Sequence, residues 1–76
     1  MEQRVGYIIQ NTHTGQYIGR VYNETIRQHD FTNSMFRALR FGHLEDAQGW
    51  MECRYAPSSK DDYMIVAVEI SIEKVV

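Results

Sequence analysis

Residues 4–10 and 16–22 are rich in β-branched and aromatic side chains, the composition of strands. Residues two apart share a strand face. Val5, Tyr7 and Ile9 therefore lie on one face of the first segment, and Tyr17, Gly19 and Val21 on one face of the second. The opposite faces carry Ile8 and Ile18, so they too are partly apolar. Between the segments, Asn11-Thr12-His13-Thr14-Gly15 is a turn-forming cluster that ends in the residue most tolerant of positive φ. The pattern predicts an N-terminal β-hairpin over the first 22 residues, with something covering each of its sides.

From Tyr63 to Val76, Val66, Val68, Ile70 and Ile72 alternate with Ala67, Glu69, Ser71 and Glu73. That period of two predicts a half-buried closing strand. The polar stretch 54–62 before it, with Pro57 and two serines, reads as a loop. Over residues 44–51 the apolar positions 44, 47, 50 and 51 make the stripe of an amphipathic helix. Glu45 and Asp46 in its first turn suit the positive end of the helix dipole, while Gly49 weakens it by about 1 kcal/mol relative to alanine. Residues 31–41 read two ways: Thr32 caps a short helix burying Met35, Phe36 and Leu39, or residues 38–41 form a short strand. The preferred reading is one helical turn near residues 33–37, followed by a short extended piece.

These elements add up to an α+β fold: a small, mainly antiparallel sheet of three to four strands, with an N-terminal β-hairpin and one main helix packed on one face. A single helix leaves the other face open, a natural surface for a homodimer or another partner.

The 76 residues suit one domain spanning 1–76. With 43% hydrophobic and 24% charged residues, the composition argues against intrinsic disorder. The longest apolar run, residues 63–68, is far short of the roughly 20 residues that cross a bilayer. Residues 1–10 lack the basic start and apolar core of a signal peptide. The lone Cys53 has no internal disulfide partner, which fits a reducing cytoplasm. The formal charge is −2, whereas nucleic-acid binders are usually basic. Arg20, Arg27, Arg37 and Arg40 against Glu24 and Asp30 nevertheless give a mildly basic middle, followed by an acidic C-terminal half.

Catalytic patterns are sparse. His13, His29, His43 and Cys53 are spread singly, without metal-ligand spacing, so no metal and no cofactor is predicted. His13 reads as an exposed turn residue, His29 as a loop residue and His43 as lying near a helix start. Cys53 at the end of an amphipathic helix reads as a small boundary residue more readily than as a nucleophile. Glu45-Asp46 and Asp61-Asp62 are sequence neighbours and do not make a general acid–base pair. The chain is expected not to be an enzyme.

Binding chemistry is better represented. Nine aromatics, five of them tyrosine, accompany six arginines, the residue types enriched at interface hot spots. Tyr7, Tyr17, Arg20, Tyr22, Arg27, Arg37 and Arg40 are the candidate partner-binding residues. The competing explanation is packing, since strands favour tyrosine and small cores need aromatics. The alternative function is a nucleic-acid-associated protein using the basic stretch from Arg20 to Arg40, with bases stacked on tyrosines.

Taken in order, Tyr7-Ile8-Ile9-Gln10-Asn11, Thr14-Gly15-Gln16-Tyr17-Ile18, Ala38-Leu39-Arg40-Phe41, Glu45-Asp46-Ala47 and the valine-rich closing strand resemble a family of small phage and prophage proteins of Gram-positive bacteria. The resemblance implies structural roles for Tyr7, Gly15, Tyr17, Ala38, Phe41 and Ala47. It also implies a viral protein working in the cytoplasm of a bacterial host. Such a protein acts by binding: it inhibits or modulates a host protein, for example a defence system of the CRISPR or restriction kind. The chain departs from that pattern by a longer segment over residues 23–30 and by Gly49 within the helix.

Overall fold

The computed structural model describes residues 2–72. In order they form β1 (Glu2–Asn11), β2 (Tyr17–Asn23), β3 (Gln28–Thr32), a 3-10 turn (Met35–Arg37), α1 (Leu44–Met51), a second 3-10 turn (Lys60–Asp62) and β4 (Tyr63–Ile72). The strands make one curled antiparallel sheet in the order β3-β2-β1-β4, with a single α-helix. The fold is α+β.

The β1–β2 turn follows from its residues. Asn11 Oδ1 accepts from the His13 and Thr14 amides, and Gly15 takes φ +75°, a conformation that L side chains adopt at a cost. The Asn11 amide donates to Gln16 O at 2.8 Å. Asp62 holds the turn from outside: its carbonyl accepts from the Thr12 amide and hydroxyl, and its carboxylate meets His13 Nε2 at 2.8 Å.

The hairpin is less regular than its sequence pattern. β1 and β2 pair at Gln10–Tyr17 and then part. Residues 38–41 cross the gap as a strap. The Leu39 amide donates to Ile18 O on β2, while Phe41 and Tyr7 exchange two bonds of 2.8 and 2.9 Å on β1. In a regular strand, residues 39 and 41 would reach the same side. Here they reach opposite strands, so the segment joins the two where they separate.

β3 corrects the expectation of a loop at His29. Residues 28–32 carry one apolar ring among polar side chains, too weak a pattern to read as a strand. Two of those polar side chains supply hydrogen bonds that the ladder lacks. The β2–β3 register runs Ile18–Phe31 and resumes at Tyr22–His29, so four steps along β2 face two along β3. Backbone groups in such a bulge lose their partners. Asp30 Oδ1 accepts from the Val21 amide at 3.1 Å, and His29 Nδ1 donates to Gly19 O at 3.0 Å.

The residue-31–41 segment holds one helical turn and then extended chain, as the preferred reading has it. α1 spans the predicted residues, with His43 at its N-cap and Ala47 fully buried. It packs against β1. β4 pairs with β1 over ten residues without a break, and the remainder of the expected closing strand, residues 73–76, lies outside the described residues.

The described core is small: Ile8, Ile9, Ile18, Ala38 and Ala47. Ile8 and Ile9 point to opposite faces of β1, yet they are 0% and 1% exposed. Both faces are therefore closed at the centre, and the open apolar face expected from a single helix is not found there. Curling of the sheet, together with the strap, moves apolar exposure to the margins, at Val5, Val21, Phe31 and Met64.

Candidate functional site

Elements distant in sequence converge beside β3. The Tyr22–His29 register brings those two rings to 5.2 Å, edge on. Tyr55, from the loop after α1, meets the other side of Tyr22 at 5.2 Å. Trp50, from the last turn of α1, approaches His29 at 5.5 Å, and Phe41 of the strap lies 6.1 Å beyond it. The result is a row of five rings, Tyr55-Tyr22-His29-Trp50-Phe41, in edge-on or tilted contact. Such contacts contribute about 0.5–1.5 kcal/mol each beyond the area they bury.

Two hollows flank this row. One, of about 330 Å³, lies between β3, Trp50, the 55–59 loop and Tyr63. The other, of about 580 Å³, is walled by Tyr22, Glu24, Arg27, Arg54 and Tyr55. Arg27 and Tyr55 line both, so the two hollows adjoin, and together they are called the groove.

Polar groups at the groove are held in place. His29 Nδ1 spends its hydrogen on Gly19 O, which leaves Nε2 as the acceptor of the neutral ring. The Arg54 guanidinium lies 4.9 Å over the Tyr55 ring and donates to the Tyr55 hydroxyl at 2.8 Å. That hydrogen bond, followed by the charge interaction with the same hydroxyl, raises the Arg54 pKa above its ordinary value. Arg27 closes the β2–β3 turn in the left-handed region, at φ +55°, while Asn23 Oδ1 accepts from the Thr25 and Ile26 amides. Arg27 and Arg54 against Glu24 give the groove a positive rim.

Of the seven residues singled out from the sequence, the structure brings Tyr22 and Arg27 to this groove. Tyr7 is half-buried at the strap, and Tyr17 is half-buried beside Gln10 and Thr32. Arg20 donates to the carbonyls of Phe36 and Ala38, so its guanidinium ends the 3-10 turn. Arg37 and Arg40 are exposed beside the strap. His29, Trp50, Arg54, Tyr55 and Tyr63 were not singled out. Aromatic content was the available signal, but nothing local tells which of nine rings meet. Among the described residues, no three His, Cys, Asp or Glu side chains converge to hold a metal ion. No described helix is long and apolar enough to cross a membrane.

No protein-family model, curated protein or solved structure matches the chain.

Proposed function

We propose that the chain is a small binding protein that inhibits or modulates a host protein by seating an acidic segment of it in the Tyr22–Arg27–Tyr55 groove. The observation that carries this reading is the pairing of a continuous aromatic row with two arginines on one concave surface. Aromatic side chains and arginine supply most of the energy at protein interfaces. The charge balance at the rim favours a carboxylate-bearing occupant. The resemblance to small phage proteins supports a bacterial target, such as a defence enzyme. A nucleic acid is the weaker fit, because Arg20 is engaged by backbone carbonyls and the whole chain is acidic.

The test uses Arg27→Gly and Tyr55→Ser. Arg27→Gly relieves a left-handed L residue, so folding stability is unchanged or rises by up to about 1 kcal/mol. A host protein retained by the wild-type chain and inhibited by it is lost with either substitution, and the emission of Trp50 shifts when that protein binds. Retention of the same partner and the same inhibition by both variants overturns the groove reading. A gel shift with DNA or RNA that weakens steeply with salt would replace it by the nucleic-acid one.

A further inference from the structure

The sheet has two edges, and they are not alike. β3 is five residues long and faces the bulge of β2. β4 is ten residues long, pairs with β1 without a bulge, and reads YMIVAVEISI, with one charge and no proline or lysine. Edge strands of that kind are normally shielded, because their unpaired amides and carbonyls accept another strand.

The direction of those groups follows from the strap. Tyr7 sends both its amide and its carbonyl to Phe41, on the side away from β4. Tyr7–Ala67 is therefore a pair without mutual hydrogen bonds in the β1–β4 ladder, and Ala67 points its own amide and carbonyl outward. By alternation, Ile65, Glu69 and Ser71 do the same, as does the Tyr63 carbonyl, while the Tyr63 amide donates to Lys60 O.

The far half of this ribbon also lacks a neighbour. β2 leaves β1 at Gln10–Tyr17 and the strap reaches only Tyr7, so among the described residues Glu2–Gly6 and Val68–Ile72 form a two-stranded extension. The molecule is 43 Å long against 23 and 21 Å across. Two strands alone are marginally stable in water, and a third strand corrects that.

We propose that β4 pairs antiparallel with β4 of a second copy of this chain, about a two-fold axis at Ala67. That register sets Ala67 opposite Ala67, Ile65 opposite Glu69 and Tyr63 opposite Ser71, so the outward groups of Ile65, Ala67 and Glu69 are all bonded and the Ser71 amide meets the Tyr63 carbonyl. On the other face, half-buried Val66 meets half-buried Val68 of the second copy. An axis two residues later would oppose Glu69 to itself, and like charges directly opposite are destabilising. An axis two residues earlier would leave Glu69 and Ser71 unpaired. Isologous pairing of this kind closes at two copies and does not propagate. Of the residues around the groove, Tyr63 alone lies on β4, and neither position 67 nor 69 lines the groove, so each proposal is tested by itself.

Cysteine cross-linking in a Cys53→Ser background reads the register. Antiparallel bonded pairs hold Cα atoms about 5.5 Å apart, within disulfide range. Under oxidised glutathione, which is reduced as two thiols join, Ala67→Cys gives a covalent dimer and Glu69→Cys does not. Sedimentation equilibrium supplies the second measurement. Ala67 is exposed, so Ala67→Lys leaves the fold intact by circular dichroism while opposing two cations across the axis, and the dimer of the native chain becomes a monomer. A native chain that sediments as a monomer into the millimolar range overturns the proposal. So does stronger cross-linking at position 69 than at 67, or an Ala67→Lys variant that stays dimeric.

Discussion

At Gly19, an added Cβ would run into the Asp30 carboxylate, 2.8 Å from its Cγ, and that same carboxylate accepts from the Val21 amide. One side chain therefore completes the bulge and forbids a side chain at its neighbour. Gly19→Ala costs about 1–3 kcal/mol through overpacking. Asp30→Ala costs about 0.5–1.5 kcal/mol through the lost hydrogen bond, since the Val21 amide lies at the surface. The two are coupled: with Asp30 already truncated, Gly19→Ala is nearly free, and a double-mutant cycle by urea unfolding gives a coupling of at least about 0.5 kcal/mol. Strict additivity would show that the carboxylate is not what excludes the Cβ. None of this was legible in the sequence, where Gly19 reads as an ordinary strand position and Asp30 as surface charge. The β2–β3 turn was hidden for a similar reason, since its left-handed position holds Arg27 where a glycine would have announced a hairpin.

Among the elements, α1 was the most legible. Its stripe and its acidic first turn are local, and the helix spans the residues they mark. Gly49 is its weak point. A Cβ there meets nothing within 4 Å, so Gly49→Ala raises stability by about 0.5–1 kcal/mol through helix propensity alone. A urea midpoint that stays level or falls would mean that the helix gains nothing from propensity at this site. β4 was legible from its alternation, which persists in the half-buried Val66 and Val68 between exposed Ala67 and Glu69. The strap was legible only as a short extended piece. Its path from Ile18 to Tyr7 depends on where β1 and β2 part, which no local pattern records.

For the molecule as a whole, five described core residues carry the packing. A chain of this length has a stability of about 4–11 kcal/mol. Ile8 is fully enclosed, so Ile8→Ala removes about 2–5 kcal/mol, a large share of that margin. With about 4–8 °C lost per kcal/mol in a domain of this size, Tm falls by about 8–40 °C, whereas Ile8→Val costs about 0.5–1.5 kcal/mol. Calorimetry of the two variants checks this, and equal small shifts for both would mean that the core tolerates a cavity at its centre.

The sequence by itself determined the fold class, the first hairpin turn, the helix and the closing strand. Each is set by residues within about one turn or one strand length of each other, through period and turn chemistry. Only the tertiary structure decided the bulge, the strap, the order β3-β2-β1-β4 and the aromatic groove. Those depend on which backbone groups lack a ladder partner and which distant side chains supply one. His29 and Asp30 look like loop residues until Gly19 and Val21 are seen to need them. Tyr22, His29, Trp50 and Tyr55 share no spacing along the chain, and only the β2–β3 register and the packing of α1 and the loop after it make them neighbours.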